Sequence, residues 1–255
     1  MKIGLALSGG GSRGVAHLGA IKAMEEYGYK FDHVSGVSAG AIIGAFYCNG
    51  YTPEDILKII EKTSLYKVVR PAVSWRGLLK LDKVVKEFKS YFKEDSFEAL
   101  KIPLHISATE IKSGKIKYFS EGPLLRTVLA SGSIPVVFDP VKIDDVYYMD
   151  GGILNNLPVE PLKATCDKVV GIHTNPIGIV ETPINMKMLM ERSLLLAING
   201  NIEIRKRLCD LFIEPDGLDK FNVFDIKRTK EIFEIGYEYT SRLLESEQGF
   251  LKKSG

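Results

Sequence analysis

The apolar run Ile3-Gly4-Leu5-Ala6-Leu7 leads straight into Gly9-Gly10-Gly11-Ser12-Arg13-Gly14, and this junction constrains the fold more than any other stretch. A short apolar run bounded by glycines is the length of a buried strand. Val15, Leu18, Ile21 and Met24 then recur at helical spacing as far as Gly28, a C′ glycine by position. His33-Val34-Ser35-Gly36 predicts a second strand. Ala39 to about Tyr47 predicts a second helix, with Gly50 as its stop. Strand, helix, strand and helix in succession predict an α/β fold with a mostly parallel central sheet.

Downstream, Glu54–Thr63 is amphipathic, with Pro53 at its start. Leu104–Thr109 and Ile116–Ser120 read as strands around a turn at Ser113-Gly114. Pro123–Ala130 reads as a helix, Val146–Met149 as a strand ending at Asp150, and Lys168–His173 as a further strand. Leu211–Glu214 is a strand between two long closing helices, Met186–Arg207 and Thr229–Leu244. No repeat or low-complexity linker divides the chain. One domain over 1–255 is expected, with the motifs in about 1–158 and the closing helices in about 186–245.

Bulk properties exclude several classes. A chain of 255 residues with 45% hydrophobic and 26% charged residues can bury a core without disulfide staples. The net charge of +2 argues for no nucleic-acid partner. Cys48, Cys166 and Cys209 lie far apart and cannot all pair, which points to a reducing compartment. The N-terminal apolar run is too short for a signal peptide. The most apolar stretch, Met186–Ile198, is broken by Glu191 and Arg192 and falls short of the roughly 20 residues that a membrane span needs. A cytoplasmic protein is expected, with peripheral contact at the inner membrane surface left open.

Three elements carry chemistry jointly. Gly36-Val37-Ser38-Ala39-Gly40 is a G-x-S-x-G at a predicted strand-to-helix turn. A nucleophile there needs small neighbours, because the turn forces unusual backbone angles. The helix N-terminus behind Ser38 favours a developing oxyanion. The loop Gly9–Gly14 lets backbone N–H groups approach an oxyanion or a phosphate. It also fits the dinucleotide fingerprint G-x-G-x-x-G. That fingerprint wants an acidic residue after the second strand, where Gly36–Gly40 stand instead, and Asp32 lies at the strand's other end. No G-K-[ST] follows, which excludes a P-loop. Asp150-Gly151-Gly152 closes the set, with a carboxylate at a strand exit, where open α/β sheets place their sites.

In this order the three elements resemble the patatin-like phospholipase family, most closely its small bacterial members. Ala130-Ser131-Gly132-Ser133-Ile134-Pro135 resembles that family's Ala-Ser block with its proline. The resemblance spans Met1 to about Pro158. It implies a three-layer αβα fold and a serine hydrolase of lipid esters, phospholipid or lysophospholipid, with no cofactor and no metal. It also implies roles. Ser38 is the nucleophile and Asp150 alone its partner, a dyad. Gly9, Gly10, Gly11, Arg13 and Gly14 form the oxyanion loop, ordered by Arg13 through hydrogen bonds. Gly36 and Gly40 flank the nucleophile elbow. Burial would raise the Asp150 pKa from near 3.9 and make it a better base.

Two rivals stand beside this reading. Ser38, Asp150 and His173 also follow the chain order of an α/β-hydrolase triad. That elbow usually follows several strands, whereas a single strand precedes the one feeding Ser38, and His173 sits at the end of an apolar strand. The other rival is a non-catalytic lipid-binding module. His17, His33, His105 and His173 lack metal-ligand spacing, His17 reads as structural, and Cys48 reads as a small buried hydrophobe. Lys67, Arg70, Arg76, Lys80, Lys83, Lys86, Lys89 and Lys93 cluster around Trp75, Phe88, Tyr91 and Phe92. This segment reads as a solvated helix face over an apolar side, or as a basic surface for anionic lipid.

Overall fold

The computed structural model describes residues 1–63, 70–71, 79–80, 82–135, 137–179, 185–222 and 226–246. The expected α/β alternation is present. Strand β1 (Ile3–Leu7) passes through a 3₁₀ turn into α1 (Ala16–Glu26), and β2 (His33–Gly36) passes into α2 (Ala39–Asn49). Helix α3 (Pro53–Thr63), a ribbon of β3 (Arg70–Pro71) and β4 (Leu79–Lys80), and α4 (Asp82–Lys89) follow. Then come β5 (Leu104–Glu110), β6 (Lys115–Phe119), α5 (Leu124–Ser131), β7 (Val141–Ile143) and β8 (Val146–Asp150). The C-terminal part holds α6 (Glu160–Lys163), β9 (Lys168–Ile172), α7 (Met186–Asn199), α8 (Ile202–Lys206), β10 (Leu211–Ile213) and α9 (Thr229–Ser246).

A central sheet of order β10-β9-β1-β2-β5-β8-β7 organises these elements, with β6 also paired to β5. The first five strands in that order are parallel, while β6, β7 and β8 join antiparallel. β1 is buried along its whole length, as a central parallel strand must be. The main core packs Leu5, Leu7, Leu18, Ile21, Val34, Phe46 and Ile106 between sheet and helices.

The register along β5 decides where the site forms. Ile106 pairs with Gly36 of β2, and Ala108 pairs with Asp150 of β8. Over the same residues β6 occupies the opposite edge of β5. The C-terminal ends of β2 and β8 therefore meet on one edge of β5. Leu7 of β1 pairs with Gly36 and with Ile172, so the segments leaving β1, β2 and β9 emerge side by side.

One element departs from expectation. The helix read as Met186–Arg207 is two, α7 and α8, separated at Gly200 and Asn201. Glycine propagates a helix poorly. The Asn201 side chain is also diverted, since its Oδ1 accepts the backbone N–H of Asn156 at 3.1 Å. Much of the basic segment, including Lys67, Trp75 and Arg76, lies outside the described residues. Of the rest, Lys86, Lys89 and Lys93 are exposed, while Phe88 and Phe92 pack on Phe46 with ring centroids 5.1 and 5.0 Å away. Among the described residues no helix is long and apolar enough to cross a membrane, and no cluster of three or more acidic, His or Cys side chains could hold a metal ion.

Candidate active site

Ser38 stands between β2 and α2 with φ 53° and ψ −119°, one of three non-glycine residues with positive φ among those described. Such strain costs on the order of 1–3 kcal/mol and persists only where the surroundings enforce it. Here the enforcement is close packing. A Cβ on Gly36 would run into the Gly40 carbonyl, and one on Gly40 would run into the Leu7 carbonyl. The elbow thus sits on the end of β1 with no room for a side chain at either glycine. The Ser38 backbone N–H donates to Ser131 Oγ at 2.8 Å, and that hydroxyl donates to the Ser107 carbonyl at 2.7 Å. The Ala-Ser block therefore braces the elbow from behind.

Asp150 ends β8, buried, and its backbone is held at two points. Its N–H donates to the Ser133 carbonyl at 3.0 Å, and its own carbonyl accepts from Thr109 Oγ1 at 2.9 Å. The carboxylate accepts the Gly152 N–H at 2.7 Å and faces the Ser38 side chain. Burial raises its pKa from 3.8 to about 6, against the lowering effect of the Gly152 N–H and the Ser38 hydroxyl. A carboxylate poised near neutrality beside a serine hydroxyl can accept that hydroxyl's proton.

Gly9, Gly10, Gly11, Arg13, Ser38 and Asp150 all line one cavity of about 210 Å³. Its remaining wall is mostly apolar, from Ile134, Pro135, Val137, Ile153, Leu195 and Ile198. The glycines are not equivalent. The Gly9 N–H is taken by Asn156 Oδ1 at 3.1 Å, whereas the N–H groups of Gly10 and Gly11 meet no acceptor among the described residues. Gly14 is not part of the cavity wall, and a Cβ there would lie 2.6 Å from the Ala39 Cβ, so it seats α2 against the loop.

Arg13 ties the loop down. Its buried guanidinium donates through Nε to the Phe221 carbonyl at 2.8 Å and through Nη1 to Asn175 Oδ1 at 2.8 Å. Nη2 donates to the Asp219 carbonyl at 3.4 Å. Desolvation lowers its pKa, opposed by the nearby Asp219.

His17 and His173 stand apart from this chemistry. His17 is fully buried, with Nε2 2.9 Å from the Ser8 carbonyl, and burial lowers its pKa to about 3. His173 Nδ1 is 2.7 Å from Glu214 Oε1, its ring stacks on Phe212, and it is not among the residues lining the cavity. Cys48 is buried in the core. No motif in the sequence marks two residues of this site: Asn175, which receives Arg13, and Asn156, which receives Gly9. The signal for Asn156 was a consecutive pair, Asn155-Asn156, in the run that follows Asp150-Gly151-Gly152.

The chain is similar to known proteins. An NTE family protein of Mycobacterium tuberculosis is 32% identical over 177 residues, 68% of this chain and 49% of that one. A lysophospholipase of Neurospora crassa is 25% identical over 98% of this chain, which covers 19% of it. This chain thus spans about half the length, or less, of these relatives. Among solved structures, VipD from Legionella pneumophila shares the fold, with a TM-score of 0.56 at 16% identity over 96% of this chain and 67% of that one. The profile of the patatin-like phospholipases matches residues 5–163, which hold the glycine loop, Ser38 and Asp150, and the chain belongs to that family.

Proposed function

We propose that this protein is a serine acyl-ester hydrolase acting on lipid esters, phospholipid or lysophospholipid, through a Ser38–Asp150 dyad. The observation that carries this reading is the strained Ser38 beside a buried carboxylate, in one apolar cavity with the glycine loop. Asp150 takes the Ser38 proton as Oγ attacks the ester carbonyl carbon. The N–H groups of Gly10 and Gly11 hold the oxyanion. The leaving alkoxide receives the proton from Asp150, and an acyl-enzyme remains. Asp150 then takes a proton from water, the resulting hydroxide attacks the acyl carbon, and Ser38 recovers its proton. The dyad is favoured over a triad because His173 is engaged by Glu214. The printed name of the Neurospora relative supports a lipid substrate.

We further infer that the substrate arrives from a lipid surface. At about 100° per residue, Met186, Leu189 and Leu196 of α7 share one stripe, and Leu195 and Ile198 face away from it. The first three are 73%, 50% and 49% exposed, while Leu195 lines the cavity. Ile179 is 92% exposed. The exposed stripe of α7 offers an apolar surface on the helix whose other face lines the cavity. A cytoplasmic location with peripheral contact at the inner membrane surface fits three cysteines that are all unpaired.

The test is a panel of phospholipid, lysophospholipid, neutral glyceride and short p-nitrophenyl esters, run on wild type, Ser38→Ala and Asp150→Asn. Turnover by wild type with loss in both variants is expected. Activity that survives both substitutions refutes the dyad.

A further inference from the structure

Asn155 and Asn156 are both buried, 0% and 2% exposed, yet their amides are used differently. Asn155 is fully engaged. Its Nδ2 donates to Tyr118 at 2.9 Å and to Glu160 at 2.7 Å, and its Oδ1 accepts from Leu157 N–H at 3.1 Å. Asn156 is engaged at one end. Its Oδ1 accepts from Gly9 N–H, and its Nδ2 has no acceptor among the described residues. The Gly9 bond fixes the amide's orientation, because the reverse would face one donor with another. A buried donor without a partner is uncommon and calls for an explanation.

The position of Asn156 supplies one. The residue lines the catalytic cavity with Ser38, Gly10 and Gly11. A Cβ on Gly9 would fall 2.6 Å from Asn156 Oδ1 and 3.2 Å from the Ser38 Cβ. One on Gly152 would fall 2.7 Å from Asn156 Oδ1 and 3.0 Å from Asp150 Oδ1. The Asn156 amide is therefore wedged between the oxyanion loop and the Asp150 turn, and both glycines make room for it.

We propose that Asn156 is a further catalytic residue. Its Oδ1 holds the Gly9 loop, and its Nδ2 donates to the carbonyl oxygen of the bound ester beside the N–H groups of Gly10 and Gly11. The donor bonds more strongly as that oxygen gains charge, so it acts on the chemical step rather than on substrate binding. This assignment rests on the hydrolase reading above.

The experiment measures kcat and KM for p-nitrophenyl butyrate, the rate of fluorophosphonate labelling, and thermal melting. The proteins are wild type, Asn156→Ala, Asn156→Ser, Asn155→Ala and Ser38→Ala. Both Asn156 variants are expected to lose about 10²–10³-fold in kcat, with KM within about threefold and labelling slowed in parallel. Asn155→Ala is expected to lower the melting temperature and keep kcat within about threefold. If Asn156→Ala does not fold, Asn156→Ser decides. A folded Asn156 variant with near wild-type kcat, or one that changes KM alone, overturns the assignment. Wild type without Ser38-dependent turnover overturns the hydrolase reading, and this assignment with it.

Discussion

Gly36 and Asp150 meet the same edge of one strand two residues apart, Gly36 opposite Ile106 and Asp150 opposite Ala108. β2 arrives parallel to β5 and β8 antiparallel, so two strands far apart in sequence end at one point. Ser38, two residues past Gly36, then stands beside Asp150 in one cavity. The two residues are thus brought together by backbone ladders, which are far stiffer than loops.

That geometry makes the pair sensitive to conservative change. Ser38→Ala is expected to abolish turnover and fluorophosphonate labelling. Asp150→Asn is expected to lower kcat by at least about 10³-fold, in the range seen when a member of a hydrolase triad is removed. Steady-state kinetics on a soluble ester check both.

The Asp150 pKa of about 6 sets the activity profile. In the proposed dyad Asp150 works deprotonated, so kcat/KM is expected to rise through pH 6 and level off above pH 7. Asp150→Asn, assayed for any residual rate, is expected to lose that limb.

The same shift has a stability consequence of the opposite sense. The folded pKa lies above the ordinary value of 3.8, so between the two the folded chain keeps a proton that the unfolded chain has lost. Stability from this group falls as pH rises from about 4 to 6 and stays low above that. The difference is about 3 kcal/mol. Asp150→Asn is therefore expected to unfold at higher urea concentration than wild type at pH 7, though inactive. An equal or lower midpoint would contradict a desolvated carboxylate.

Arg13 should not tolerate lysine. Its planar fork reaches carbonyls and an amide contributed by four separate residues, Asn175, Pro176, Asp219 and Phe221, which a single ammonium cannot span. Arg13→Lys is expected to destabilise the fold by about 2–4 kcal/mol, since buried polar groups lose partners. It should also lower kcat as the glycine loop loosens. Urea titration and kinetics on the same preparation test both.

The exposed apolar residues make a prediction that separates surface from chemistry. Leu189→Glu and Ile179→Glu are expected to reduce sedimentation with anionic liposomes and turnover of vesicle lipid several-fold. Hydrolysis of a soluble p-nitrophenyl ester should stay within about twofold. Unchanged vesicle binding would sink the lipid-surface role of these residues.

Much of this protein was legible in the residues themselves. β1 and β2 were read to the residue, because a short apolar run bounded by glycines has few other uses. Ser38 and Asp150 stand as candidates through order and context, since neither motif alone is specific. Local chemistry did not reveal the boundary between α7 and α8, the unequal duties of Gly9, Gly10 and Gly11, or the place of Asn156. Each depends on a partner far away in sequence. Asn201 bonds the Asn156 backbone from 45 residues on, and Asn156 reaches Gly9 across 147. The order of apolar and glycine residues determined which strands and turns could form. Only the pairing of β2 and β8 along β5, set by burial and ladder register over the whole sheet, decided that the serine and the carboxylate would meet.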